Sequence, residues 1–143
     1  MDGPLTLAGK VEFHFYASAS TVDTDFCAVL TMVTPEGKSL FLSVGEVRAR
    51  FRNKLDKAEF LVPDEIYEYT IDLSHVAVKL EKGHALRLEV CGHYFPLFGR
   101  NPNTGNVLKD DTELRASKHC IYHDAEHPSY LLLPVMDESV EKI

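Results

Sequence analysis

The sequence has no tryptophan among its 143 residues and only three cysteines, Cys27, Cys91 and Cys120. Their number is odd and no two have Cys-x-x-Cys spacing, so neither a disulfide framework nor a common zinc motif is indicated. Because each cysteine lies in an apolar segment, we expect three buried, reduced thiols. Reduced thiols favour a cytoplasmic protein or a fragment of one.

Positive charge is also scarce, with 15 Lys and Arg against 22 Asp and Glu and a net charge of −7. No basic cluster is visible, so nucleic acid is excluded as an expected partner. No apolar run approaches the roughly 20 residues of a membrane span, and the N-terminus lacks the basic and apolar regions of a secretory signal. We therefore expect no membrane partner either.

Helical periodicity is missing, and an alternation with period two is present along almost the whole chain. Val11, Phe13, Phe15 and Ala17 alternate with polar residues, which is typical of a strand with one buried face. Further strands are expected at about 26–34, 38–51, 67–73, 76–80, 85–92, 118–124 and 130–136. This pattern predicts one all-β domain over residues 1–143, a jelly-roll β-sandwich.

Two turn signals lie in the first half of the chain. Thr34-Pro35-Glu36-Gly37 predicts a hairpin turn, and Gly45 suggests a bulge or break in the following strand. The sequence Gly37-Lys38-Ser39-Leu40-Phe41 has only the first small residue of a hydrolase nucleophile elbow. We therefore interpret Ser39 as part of the hairpin and expect no catalytic residue.

The segment 93–112 is rich in proline and glycine and predicts a long loop, which tends to be functional or to pack against another element. Within it, Asn101, Asn103, Thr104 and Gly105 should form an ordered turn with side chains bonded to the backbone. Tyr94, Phe95 and Phe98 could serve as a carbohydrate platform or as a contact with another domain. Of these bulky residues we expect Phe95 to turn inward.

Histidines and acidic residues offer little support for a metal site. His119, His123 and His127 are spaced by four, which on a strand separates neighbours by about 13 Å, too far to share one ion. His123 and Asp124 are expected to form a structural hydrogen-bond pair at a strand end, with the carboxylate fixing the histidine tautomer or capping the turn. The acidic groups Asp23/Asp25 and Asp110/Asp111/Glu113 are interpreted as solvated turns, with a calcium loop as the alternative. No metal or other cofactor is predicted.

The second half of the sequence carries a specific series of motifs. It runs from Lys82-Gly83-His84-Ala85-Leu86-Arg87-Leu88-Glu89-Val90 through Phe95-Pro96 and Arg100-Asn101-Pro102-Asn103-Thr104-Gly105 to His127-Pro128-Ser129 and Leu133-Pro134. This series resembles the C-terminal domain of the X-prolyl dipeptidyl peptidase and cocaine esterase family of serine hydrolases, and the resemblance covers about residues 4–136. Ala85, where an arginine is common, and His93-Tyr94 depart from the family pattern.

The resemblance implies a galactose-binding-like jelly roll that is non-catalytic and packs on an α/β-hydrolase domain. That catalytic domain is absent from this chain, so no triad residue is carried over. The implied function is to buttress the catalytic domain of an X-Pro dipeptidyl-peptidase or acyl esterase and to help wall its substrate cleft. The alternative is a free-standing module that binds carbohydrate or another small molecule.

The long loop supplies the candidates for the contact with the missing domain. Without that domain, its apolar residues should be exposed or covered by self-association. The candidates for interdomain contact are Tyr94, Phe95, Leu97, Phe98, Arg100 and Asn101.

Overall fold

The structure is a computed structural model that describes residues 3–107 and 110–136. It is all-β, as the periodicity predicts. The strands are β1 (Leu5–Ala19), β2 (Asp25–Val33), β3 (Ser39–Arg48), β4 (Tyr67–Leu80), β5 (Ala85–Cys91), β6 (His119–Tyr122) and β7 (Tyr130–Leu132). A 3-10 turn, Ala49–Phe51, follows β3. In the described residues no helix has the length and apolar character needed to span a membrane.

The strands form two antiparallel sheets. In the first sheet, β1 pairs with β4 along one edge and with β6 and β7, one after the other, along its other edge. In the second sheet, β2 lies between β3 and β5. The two-sheet arrangement confirms the β-sandwich, whereas the galactose-binding-like subtype stays a prediction.

The core lies between the two sheets and follows the alternation of side chains along each strand. The first sheet contributes alternate residues of β1 and β4, and the second contributes those of β2. The largest fully buried side chains include Phe15, Phe26, Tyr69, Ile71 and Leu73. Phe15 and Tyr69 stack with ring centroids 5.2 Å apart, and the edge of Phe26 meets Phe15 at 5.4 Å. Aromatic contacts therefore join the two sheets at the centre of the sandwich.

Strand β4 is continuous where the sequence predicts two strands. The alternation breaks near Ser74, whose φ is +62° and whose backbone N–H donates to Oδ1 of Asp72. The pairing register with β1 shifts at this point, between Lys10 and Glu12. A bulge therefore absorbs the irregularity and the strand continues, which an alternation pattern cannot distinguish from a strand end.

The hairpin turn at Thr34–Gly37 is confirmed, since the Gly37 N–H donates to the Thr34 carbonyl at 2.9 Å. The expected bulge at Gly45 is wrong. Gly45 pairs regularly with Ala28, and the register shift occurs at Leu42, between the pairs of Leu30 with Ser43 and of Thr31 with Phe41. Gly45 is required for another reason, because a Cβ there would lie 2.2 Å from the Asp72 carbonyl oxygen of β4.

Only one of the three cysteines is buried. Cys27 lies on the central strand β2, which β3 and β5 flank on its two edges, and burial raises the pKa of its thiol to about 12. Cys91 and Cys120 are exposed, because β5 and β6 are edge strands. The expectation of three buried thiols is wrong for these two, since an apolar run does not reveal which strand lies at a sheet edge.

The close approach at Gly45 gives a test of the fold. Gly45→Ala should lower the free energy of unfolding by at least about 2 kcal/mol, because the added methyl group would overlap backbone atoms of β4. Gly99→Ala is the control, since nothing lies within 4 Å of a Cβ at that position. Denaturant unfolding of both variants measures the difference, and equal midpoints would contradict the close packing.

Candidate functional site

Two buried aspartates lie just below the long loop. Asp23 precedes β2 and Asp25 begins it, and their exposed fractions are 0% and 1%. The interpretation of this pair as a solvated turn is therefore wrong. Burial of two carboxylates is tolerated here because each one faces an arginine.

Each arginine binds its carboxylate through more than one contact. Arg48 donates from Nε to Oδ1 of Asp25 at 2.9 Å and from Nη2 to Oδ2 at 3.0 Å. Arg50 contacts Oδ2 of Asp23 through Nε at 2.8 Å and Nη2 at 2.7 Å, and its backbone N–H donates to Oδ1 at 3.0 Å. Such paired guanidinium contacts fix both the position and the orientation of the partners.

Asn101 connects this network to the long loop. Its Nδ2 donates to Asp23 Oδ2 and to Asp25 Oδ1, both at 2.8 Å, and its Oδ1 accepts the Asn103 N–H at 2.9 Å. The arginines reach the same loop from below, since Arg48 donates to the Gly99 carbonyl at 3.4 Å and Arg50 to the Asn106 carbonyl at 3.3 Å. The loop from 99 to 106 is thus attached to the sandwich by polar contacts, of which those of Asn101 are buried.

The prediction of an ordered turn at residues 101–105 is confirmed. Asn103 has a φ of +64° and donates from Nδ2 to the Arg115 carbonyl at 2.8 Å. Thr104 Oγ1 accepts the Asn106 N–H at 3.2 Å and donates to a carboxylate oxygen of Asp111. The bonds from the N–H groups of Asn103 and Asn106 to the side chains two residues earlier are local turn bonds of the kind that asparagine and threonine form.

The six candidates for interdomain contact divide into two groups. Phe95 and Leu97 are 70% and 61% exposed, Tyr94 and Arg100 are also exposed, and Phe98 is half-buried. Asn101 is buried, so its side chain positions the loop and does not project from it. The expectation that Phe95 turns inward is wrong. Strand β5, which leads to it, lies at a sheet edge, where no continuous core extends beneath the residue.

A second apolar surface lies at the open side of the sandwich, between the edge strand β5 and the short strands β6 and β7. A cleft of about 350 Å³ there is lined by Leu88, Val90, Ile121 and Leu131 among others. Leu88 and Val90 alternate with charged residues along β5, as the residues of a buried strand face would, yet Leu88 is half-buried and Val90 is 37% exposed. The sequence missed this surface because it does not show which strands leave the sandwich open.

The histidines are distributed among separate local contacts. His119 Nε2 lies 2.8 Å from Thr24 Oγ1, and burial lowers the pKa of this imidazole. The expected pair of Asp124 with His123 is wrong, since Asp124 Oδ1 lies 3.1 Å from Nδ1 of His127. The expected capping of the turn is confirmed, because the same oxygen accepts the N–H groups of Glu126 and His127, both at 2.9 Å. Across residues 3–107 and 110–136, no three His, Cys, Asp or Glu side chains are grouped to hold a metal ion.

Glu46 adds a third carboxyl group to the network. It lies beside Arg48 at 3.6 Å on the outer face of the second sheet. Burial, a hydrogen bond with Asp25 and the charge of Asp25 raise the pKa of Glu46 to about 7. The network thus holds three acids and two arginines, and the raised pKa of Glu46 favours its protonated form below about pH 7.

The bridging amide can be tested by substitution. Asn101→Ala should lower the free energy of unfolding by about 2–3 kcal/mol, because it removes two hydrogen bonds to buried charged groups. Hydrogen exchange of amides 99–106 should accelerate, since the loop loses its central attachment. The control is Asn53→Ala, which removes one exposed bond to Glu59. Unchanged protection of the loop in Asn101→Ala would contradict the anchoring role.

The protonation of Glu46 predicts a pH dependence of stability. Its pKa is raised on folding, so its contribution to stability is complete below about pH 4.5 and is lost as the pH rises to about 7. Glu46→Gln should remove this loss and melt roughly 3–8 °C above the unmodified protein at pH 8, but not at pH 4.5. The exposed Glu89→Gln serves as the control in thermal melts. A pH-independent difference for Glu46→Gln would refute the assignment.

Known proteins resemble this chain over almost its whole length. The family model described as the X-Pro dipeptidyl-peptidase C-terminal non-catalytic domain matches residues 1–132. The cocaine esterase of a Rhodococcus species is 35% identical over 135 residues, which are 93% of this chain and 24% of the esterase.

Two solved structures have the same fold over nearly the whole chain. An aminopeptidase from a marine sediment Thaumarchaeota archaeon superimposes with a TM-score of 0.90 at 29% identity, covering 96% of this chain and 24% of its own. An α-amino acid ester hydrolase gives 0.89 at 28% identity, covering 95% and 24%. This chain therefore spans about a quarter of the length of these relatives. Together with the family model, they establish that it belongs to the family of X-Pro dipeptidyl-peptidase C-terminal non-catalytic domains.

Proposed function

We propose that this chain packs on the α/β-hydrolase catalytic domain of a parent serine hydrolase, buttresses that domain and helps to form the wall of its substrate cleft. The parent would be an X-Pro dipeptidyl-peptidase or an ester hydrolase, the classes to which the relatives' names point. The chain itself is the non-catalytic part, so it supplies no nucleophile. Its contribution is to hold the catalytic domain in position and to cover part of the substrate cleft.

The observation that carries this proposal is the exposed apolar segment from Tyr94 to Phe98. Three of its large side chains, Tyr94, Phe95 and Leu97, are exposed by 37–70%. Apolar groups in contiguous segments of this kind mark interaction surfaces on soluble proteins. A covering domain would remove this area from water.

The attachment of the neighbouring loop residues supports the same conclusion. The segment that follows Phe98 is held by hydrogen bonds of Arg48 and Arg50 to its backbone and by the buried hydrogen bonds of Asn101. A surface that is already ordered loses little conformational entropy on docking, so less of the contact energy is spent on ordering it. The loop is thus suited to support a neighbouring domain.

The apolar cleft beside β5 would extend the contact surface. Val90, which lines it, is four residues before Tyr94 along the chain. Self-association through the same apolar groups and a cytoplasmic location both stay predictions.

A chimaera with the Rhodococcus cocaine esterase tests the proposal, with this chain replacing the matching C-terminal quarter. We expect the chimaera to unfold in a single thermal transition and to hydrolyse an ester substrate. When Phe95 and Leu97 are both changed to Ser, its melting temperature and its esterase activity should both fall. The same double variant should leave the melting temperature of the lone chain within about 2 °C, because exposed side chains contribute little to its core.

Leu55→Ser is the matched control, since Leu55 is an apolar residue of another loop and is 90% exposed. It should change neither the chimaera nor the lone chain. The proposal is refuted if the chimaera unfolds in two independent transitions, one of them at the melting temperature of the lone chain. It is also refuted if Phe95→Ser with Leu97→Ser behaves like the control in the chimaera.

A further inference from the structure

A second feature of the long loop is a pocket of about 250 Å³ between the turn at 100–103 and the segment 114–119. We call it the arginine pocket, because Arg100 and Arg115 both line it. The other polar side chains around it include His93, Asn103, Ser117 and His119. Its volume lies just below the range of small-molecule sites, which suits one small polar group better than a sugar chain.

The charge of this lining is the opposite of the charge of the chain as a whole. The sequence has 22 acidic residues against 15 Lys and Arg, yet no Asp or Glu among the described residues 3–107 and 110–136 lines the arginine pocket. Another cavity shows the contrast, since beside Arg48, Arg52 and Lys54 it is also lined by Glu46 and Asp72. Among the described residues, the lining of the arginine pocket therefore carries two cationic side chains and no carboxylate.

The two arginines are weakly engaged inside the described chain. Arg100 forms no side-chain hydrogen bond or ion pair with any residue of 3–107 or 110–136. Arg115 has one ion pair, with Glu113 at 3.5 Å, in which both side chains are more than half exposed. Such a surface pair contributes little and is readily exchanged for a better partner.

The buried aspartates below do not neutralise the pocket. Asp23 and Asp25 lie behind Asn101, and their oxygens are already bound by Arg50, Arg48 and the Asn101 amide. These carboxylates are therefore matched by their own cations, and the guanidinium groups of Arg100 and Arg115 remain available.

The backbone holds Arg115 in place beside the turn. Its N–H donates to the Pro102 carbonyl at 3.0 Å and its carbonyl accepts from Asn103 Nδ2 at 2.8 Å. Ser117, two residues further on, is bound through its hydroxyl to Thr21 Oγ1 at 2.8 Å. Both walls of the pocket are thus fixed before any ligand arrives, which lowers the cost of binding.

We propose that the arginine pocket binds a carboxylate group. Arg100 and Arg115 line the same pocket, and a guanidinium group has several N–H donors in a planar fork, the arrangement that carboxylate oxygens match best. The carboxylate has two possible sources, an acidic side chain of the covering catalytic domain or a free small carboxylate. The first source rests on the proposed function, whereas the pocket chemistry itself does not.

The lone chain tests the pocket chemistry directly. Titration of succinate into the 15N-labelled chain, in low-chloride buffer, should give saturable shifts of amide resonances around residues 100–103 and 115–119. Arg100→Gln and Arg115→Gln should each weaken binding by about tenfold, the loss expected for one charge-assisted contact. Arg87→Gln is the control, an exposed arginine of β5 outside the pocket, and should bind like the unmodified chain.

The proposal is overturned if succinate shows no saturable binding, or if all three variants weaken succinate binding equally. This holds whatever the esterase chimaera shows about the contact between the domains. The esterase chimaera then separates the two sources. If an acidic side chain of the catalytic domain fills the pocket, succinate no longer binds and Arg100→Gln lowers the melting temperature of the chimaera. If the ligand is a free carboxylate, the chimaera binds succinate as the lone chain does. Either result supports the carboxylate site and identifies where its ligand comes from.

Discussion

The buried ion network of Asp23 and Asp25 with Arg48 and Arg50 is the interaction on which the surface of this domain depends. Charges in a protein interior are costly unless they are paired and hydrogen-bonded, so each member holds the others in place. Asn101 draws the long loop into this network. A loop that the chain could otherwise place in many ways is thereby fixed at one end of the sandwich.

Two kinds of surface result from that attachment. One is apolar, formed by Tyr94, Phe95 and Leu97. The other is the arginine pocket, which two arginines line and no acidic residue of the described part of the chain does. Interfaces between domains combine a desolvated apolar area with a few oriented polar contacts that set the register. The loop presents both kinds of group within a short length of chain.

The sequence predicts the all-β class because alternation of side chains is a local property that each strand shows by itself. It also predicts the turn at 101–105, since asparagine and threonine bond to nearby backbone. It does not predict that Asp23 and Asp25 are buried, because their partners lie more than 20 residues away along the chain. The exposure of Phe95 and Val90 likewise depends on which strands lie at sheet edges, a property of the whole topology.

The double pairing along one edge of β1 has a consequence for how the domain is assembled. That edge is covered by β6 and β7, so the first strand of the domain is completed by residues more than 100 positions later. Contacts between distant parts of a chain form slowly, because much of the chain must be ordered first. Until residues 119–132 are in place, β1 exposes unpaired backbone groups, and a chain shortened before them would present an open edge prone to aggregation.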